Sequence, residues 1–360
     1  MTPPTAGIIG LGFGRAHIPA LKARGCEVVG LCQRDEAAAL AVAKAHGVPQ
    51  VYGRWEDLLA KARPDIVVIA TPPHLHRTIA LAALEAGAHV LCEKPLAMNR
   101  AEAEAMVEAA RRAGRVAMTG FNWRFPAAMQ ALHARVGAGA LGRVFHVALR
   151  WLGGRFADES AATTWRTDRA LAGHGVMGDM GVHLIDLVRW HFGEWRRLVA
   201  QAGIAYPAPP APGAEQPAGA EDYCTVLGEL ESGAQVALTV SRAARGAREH
   251  TLEAYGSVGA ASYRHTRDGA RWWEGELRVS EGGAGFVRVE PPAPAPEDAG
   301  RGDPLDVVGR TTIAPLVGAL LEAIRTGRPA APSFEDGLRA QIVLDAVLAS
   351  LARGGWVEVA

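Results

Sequence analysis

Asp179 and His183 stand four apart in Gly178-Asp179-Met180-Gly181-Val182-His183, a stretch that runs on into helical hydrophobic spacing. On a helix that separation places a carboxylate and an imidazole on one face, a turn apart. An imidazole with a reference pKa of ~6.5 can take a hydroxyl proton near neutrality, and a neighbouring carboxylate can orient the ring or bind an adjacent hydroxyl. Lys94, in Glu93-Lys94-Pro95, is the second reactive group. Its ammonium can donate to an oxygen on which charge develops, but a reference pKa of ~10.4 makes it a poor base. Orientation and electrostatic help therefore fall to Lys94, and proton removal to His183.

A third group of residues is suited to phosphate. Gly10-Leu11-Gly12-Phe13-Gly14-Arg15 follows an apolar run and precedes an amphipathic one. Glycines between strand and helix allow a tight turn and close approach of backbone N–H groups to a diphosphate at the helix N-terminus. The third glycine comes one residue early, with Arg15 where Gly or Ala is expected, so the turn should differ in detail. The next apolar run ends Leu31-Cys32-Gln33-Arg34-Asp35. An acid at that strand end binds the ribose hydroxyls of NAD, whereas Gln33 and Arg34 lean towards the 2′-phosphate of NADP. Asp35 reaches the ribose if the strand ends one residue later. Thr71-Pro72-Pro73-His74-Leu75-His76 begins at the end of another apolar run, where open α/β sheets hold their ligands.

Other chemistries find less support. The twelve histidines form no H-x-x-x-H or H-E-x-x-H set, so no metal is expected, and no Gly-x-Ser-x-Gly elbow is present. Lys plus Arg and Asp plus Glu are each 38, so no charge excess points to nucleic acid or to a membrane surface. No run approaches the ~18 uninterrupted apolar residues of a membrane span, and the N-terminus lacks a leader pattern, so a cytoplasmic location is expected. Cys26, Cys32, Cys92 and Cys224 are too sparse for a disulfide framework and are expected to be reduced and buried.

The elements that would position these groups fall into two halves. Up to about residue 120, short apolar runs (7–11, 28–31, 66–71, 88–92, 116–120) alternate with helical stretches (15–24, 36–46, 75–86, 100–113). That alternation predicts a doubly wound parallel sheet, an α/β arrangement. From about 143 to 289 the chain reads as longer strands of mixed polarity joined by short turns, which predicts antiparallel pairing, and 303–326 and 334–352 are helical. The second half is thus α+β, with a large, mainly antiparallel sheet. Proline-rich stretches at 206–217 and 291–304 read as surface loops.

The glycine turn, the T-P-P-x-x-H segment, the E-K-P tripeptide, Thr119-Gly120-Phe121-Asn122-Trp123-Arg124-Phe125 and the D-x-G-x-H helix occur in order along nearly the whole chain. Together they resemble the Gfo/Idh/MocA family, the glucose-fructose oxidoreductase and inositol dehydrogenase group. The resemblance implies a Rossmann domain over 1–122 and a substrate-binding and oligomerisation domain over 123–360. It implies an NAD(P)-dependent oxidoreductase acting on a secondary alcohol of a sugar, polyol or derivative, with Lys94, Asp179 and His183 as its catalytic groups. Cofactor contacts are expected from Gly10, Gly12, Phe13, Gly14, Gln33, Arg34, Thr71, Pro72, His76, Glu93 and Lys94. Arg124 and Trp165 are weaker substrate candidates, as an arginine that could hold a carboxylate and an indole that could stack on a sugar. His17 reads as a packing or solvated residue. A homodimer or homotetramer built on the exposed sheet face is implied. Two alternatives stay open: a tightly held cofactor serving elimination, glycoside cleavage or epimerisation by transient oxidation, and an NAD(P)-sensing regulator without chemistry.

Overall fold

A computed structural model describes residues 2–157, 164–206, 219–268, 272–290 and 300–360. The chain divides into two compact units, Met1–Phe125 with Ala295–Arg339, and Pro126–Pro294 with Ala340–Ala360. The division near 125 lies close to the expected boundary, but 295–339 belongs with the first unit, so the second is not an unbroken run from 123 to 360. The reason is packing: Leu316, Val317 and Leu320 of helix Ala314–Thr326 are fully buried in one cluster with Ile18 and Leu21 of helix His17–Ala23. The longer segment Pro304–Thr326 is apolar and long enough to cross a membrane by composition alone, yet these side chains are core.

In the first unit six parallel strands are ordered β3-β2-β1-β4-β5-β6. They are β1 (Thr5–Ile9), β2 (Glu27–Cys32), β3 (Val51–Tyr52), β4 (Ile66–Ile69), β5 (His89–Cys92) and β6 (Ala117–Thr119). All four residues of β4 are fully buried, as expected of a strand covered on both faces. Strand β3 was not anticipated, because two residues carry no periodicity; it exists through pairing with Leu31 and Cys32. Helices Glu36–His46 and Arg100–Ala113 start at Asp35 and Asn99, whose side chains accept from the N–H of Ala38 and Glu102. Both end at a left-handed glycine, Gly47 and Gly114. The sheet order reverses between β1 and β4, which makes their carboxyl ends the topological switch point.

Among the described residues the second unit holds nine strands ordered β14-β13-β12-β11-β7-β10-β9-β8-β15. They are β7 (Val144–Gly153), β8 (Trp195–Gly203), β9 (Tyr223–Leu230), β10 (Gln235–Ser241), β11 (Arg248–Gly256), β12 (Gly259–His265), β13 (Glu276–Glu281), β14 (Val287–Val289) and β15 (Val357–Glu358). Every pairing is antiparallel except β7 with β10. One face is covered and the other open: along β9, Cys224, Val226 and Leu230 are buried while Tyr223, Thr225 and Leu227 are exposed. Helices Ala127–Gly137 and Val182–Phe192 pack on each other within this unit. Of the proline-rich stretches, 207–217 and 291–299 lie outside the described residues. Pro304 is not loop but the first residue of helix Pro304–Val308, where a missing N–H costs nothing, behind the Asp303 cap.

Candidate functional site

Three loops leave the sheet of the first unit at the carboxyl ends of β1, β4 and β5, and each carries a motif singled out from the sequence. Gly10 has φ +92°, and a Cβ there would lie 2.5 Å from the Ala70 carbonyl oxygen. Only glycine permits so close an approach of the turn after β1 to the chain leaving β4. Gly12 is exposed with φ −62°, and a Cβ would meet nothing within 4 Å. The open space fits a close-lying diphosphate. A Cβ on Gly14 would stand 3.1 Å from Ala70 Cβ and 3.3 Å from Ile8 Cγ2, so Gly14 fills the helix-to-strand packing role. Its early position has a structural reason: Phe13–Ala16 is a 3₁₀ turn before helix His17–Ala23, and the tighter turn brings the packing glycine forward.

Gln33, expected among the cofactor contacts, reaches back to the glycine turn. Its Oε1 accepts the Leu11 N–H at 3.1 Å, while the Gly10 N–H donates to the Cys32 carbonyl at 2.9 Å, so the end of β2 holds the glycine turn from beside. Asp35 is used as the helix cap. Arg34 is exposed. After β4, Thr71 Oγ1 is buried without a hydrogen-bond partner, a polar atom suited to a ligand at the switch point. Pro72 precedes the 3₁₀ turn Pro73–Leu75 and helix His76–Glu85.

Two residues expected at the cofactor have buried side chains that brace the loops around it. His76 is fully buried, its Nδ1 3.0 Å from the Pro95 carbonyl and its Nε2 2.9 Å from the Thr71 carbonyl. Burial holds its pKa below the ordinary value, against the pull of these carbonyls and Glu93. Glu93 is 7% exposed, and its Oε1 accepts from His17 Nε2 at 2.8 Å. The His17 ring is wholly buried, so the residue read as packing or solvated is half of an interior acid–imidazole pair. The available signal was its place at the first position of the helix after the glycine turn. Lys94 itself is partly exposed, between Glu93 and Pro95.

Arg124 is a structural residue. It is 4% exposed and its Nη2 donates to Asp336 Oδ1 at 2.8 Å, while Asp336 Oδ2 accepts the Ser333 N–H at 2.7 Å. An arginine committed to this lock has no free fork for a substrate carboxylate.

In the second unit Asp179 lies in a π-turn, Met177–Gly181, followed by helix Val182–Phe192 with His183 in its first turn. The cation beside Asp179 is Arg166, with Nε 3.7 Å from Oδ1. Burial lowers the Arg166 pKa, and Asp179 opposes that. The Arg166 guanidinium stacks on Trp165, Cζ 4.3 Å from the ring centroid. Glu221 fixes the approach to this turn, its Oε1 accepting the Gly175 N–H at 2.8 Å and its Oε2 meeting Arg169 at 3.0 Å. The His183 ring packs against Trp151 with centroids 5.6 Å apart, and Trp151 stacks on His250 at 4.9 Å. Trp151 and His250 were missed as neighbours of His183 because β7 and β11 meet the helix only through the fold.

The motifs and the two folds agree with what is known of other proteins. A model of an oxidoreductase family with an NAD-binding Rossmann fold matches residues 5–121, and one of the GFO/IDH/MocA C-terminal domain matches residues 129–262. The chain belongs to the Gfo/Idh/MocA oxidoreductase family. Among its relatives in the Gfo/Idh/MocA family, the levoglucosan dehydrogenase of Pseudarthrobacter phenanthrenivorans is 29% identical over 98% of this chain and 97% of its own length. The D-apiose dehydrogenase of Paraburkholderia graminis is 34% identical over 73% of this chain and 70% of its own length. A solved levoglucosan dehydrogenase in complex with NADH and levoglucosan has a TM-score of 0.87 at 28% identity, covering 99% of each chain.

Proposed function

We propose that this protein is an NAD(P)-dependent dehydrogenase of a sugar, polyol or derivative, moving a hydride between a secondary alcohol carbon and the nicotinamide. The observation that carries the reading is the meeting of the glycine turn, the Thr71–Pro72 loop and the Glu93–Lys94 turn at the carboxyl ends of β1, β4 and β5. Similarity over nearly the whole chain to a levoglucosan dehydrogenase supports the substrate class. When bound, the nicotinamide supplies the carbon that accepts or returns the hydride.

The chain's residues do the rest. N–H groups of the turn at Gly12, Phe13 and Gly14 hold the diphosphate, with Gly10 giving the turn its path and Gln33 bracing it. Arg34, whose neighbour Asp35 is spent on a cap, favours NADP by meeting a 2′-phosphate. Thr71 and Pro72 shape the nicotinamide side. Lys94 Nζ donates to the reacting oxygen, and His183 takes the hydroxyl proton as the carbon-bound hydrogen leaves as hydride. Asp179, with Arg166 beside it, receives a neighbouring hydroxyl, and Trp165 offers an indole face to the sugar. Tyr223 and Leu227, 46% and 51% exposed on the open face of β9, support pairing of copies across that sheet in a dimer or tetramer.

The test is a panel of sugars, anhydrosugars and polyols offered with NAD and with NADP, following the absorbance of the reduced nucleotide. Turnover with at least one member is expected, together with its loss by about 100-fold or more in His183→Asn. No turnover with any member, and no transfer from reduced nucleotide to the matching ketoses, would remove the reading.

A further inference from the structure

Glu93 is an unusual residue to bury. Taking a carboxylate out of water costs several kcal/mol unless it is paired, and a buried pair is weak evidence of a purely stabilising role. The chain nevertheless makes room for it: a Cβ on Gly120 would stand 2.9 Å from the Glu93 carboxyl, so the end of β6 is left without a side chain. Both carboxylate oxygens are used. His17 Nε2 donates to Oε1 at 2.8 Å, and the Lys94 N–H donates to Oε2 at 3.4 Å.

The partners tie the flanks of Lys94 to the cofactor loops. His17 is the first residue of the helix that follows the glycine turn, and its ring meets Phe13 of that turn edge-on, with centroids 6.2 Å apart. On the other side of Lys94, the Pro95 carbonyl faces His76 Nδ1 at 3.0 Å, and the same ring faces the Thr71 carbonyl at 2.9 Å. The residue before Lys94 is thus paired with the helix that follows the glycine turn, and the residue after it lies against a ring that also faces the Thr71 loop, each at a buried imidazole. We infer that His17, Glu93 and His76 form an internal clamp that sets the position of the Lys94 amine and couples it to occupancy of the glycine turn. They are positioning residues, and the inference rests on the Proposed function only in taking Lys94 as the working amine.

The chain's only lysines are Lys22, Lys44, Lys61 and Lys94, so reductive methylation with ¹³C-formaldehyde gives four side-chain signals plus the amino terminus. Lys94→Arg identifies one of them. NADH added to the full chain should move the Lys94 signal, and this response should shrink by more than about half in Glu93→Gln and in His17→Leu. Glu93→Gln keeps the shape and a hydrogen bond, so it reports even where His17→Leu fails to fold. In turnover, Glu93→Gln should lower kcat about 10- to 100-fold, as expected when a reacting group is misplaced by about 1 Å, with the sugar KM within about threefold. In a Lys94→Ala background the same change should lower the residual rate by less than about twofold. A Lys94 signal that responds to NADH equally in both variants, or an equal fall of kcat with and without Lys94, would overturn the clamp. A clamp-dependent Lys94 response in a chain that oxidises no sugar would sustain the clamp and remove the Proposed function.

Discussion

Gly10 and Gly12 lie two residues apart in one turn, yet alanine should harm different properties at each. At Gly10 the backbone has φ +92°, and the added methyl would stand 2.5 Å from the carbonyl oxygen of Ala70. That carbonyl cannot retreat freely, because the Ala70 N–H donates to Ile9 at 2.8 Å and holds β4 beside β1. Left-handed strain of about 1–2 kcal/mol and overpacking of about 1–3 kcal/mol predict that Gly10→Ala loses on the order of 2–5 kcal/mol of stability. At Gly12 the methyl meets nothing within 4 Å, so the folded protein should barely register it. The gain from a stiffer unfolded chain, about 0.4–1 kcal/mol, offsets what little strain remains. The diphosphate would register it. Losing one charge-assisted N–H to phosphate bond of about 1.5–3 kcal/mol weakens NADH binding by roughly 10- to 100-fold. Calorimetric melting and NADH fluorescence titration of both variants separate the effects. A Gly12→Ala protein with unchanged melting and unchanged NADH affinity would refute the placement of the diphosphate on this turn.

Arg34→Ala should weaken NADP binding by about tenfold and leave NAD binding within about twofold, and equal losses in parallel titrations would remove Arg34 from the 2′-phosphate. His265 is buried, and burial lowers its pKa from 6.5 to about 4, with Arg267 adding to the shift while its Nε2 faces the Trp272 carbonyl. Below pH 6.5 the unfolded chain takes a proton that the folded one refuses, so stability falls as pH drops from about 6.5 to about 4, by up to about 3 kcal/mol from this group. His265→Gln, which retains an N–H for Trp272, should flatten that part of the acid limb in denaturant melts across pH. An unaltered slope would show that the imidazole already titrates normally.

Much of the first unit was legible because a parallel sheet buried on both faces writes its strands as continuous apolar runs. The structure starts and ends helices 36–46 and 100–113 at the residues expected, because what bounds them, Asp35 and Asn99 at one end and Gly47 and Gly114 at the other, acts locally. The second unit was harder. Strand β8 and strands β12 to β14 went unread because a strand with one open face mixes polarities, and its pairing is decided by neighbours remote in sequence. The parallel contact of β7 with β10 lies beyond any local turn signal for the same reason.

For the site, the sequence by itself marked the candidates: Asp179 and His183 by residue type and spacing, Lys94 with the family resemblance beside it, and the glycine turn by its place between strand and helix. What each neighbouring side chain does was decided only by tertiary structure. Arg124 looked like an anion holder and is locked to Asp336; His17 looked inert and holds Glu93; Gln33 was read only as a cofactor contact and also braces the turn. Spacing along a chain fixes periodicity, and hence which face a residue occupies, but a hydrogen-bond partner 76 or 212 residues away is chosen by which surfaces the packed core brings within about 3 Å.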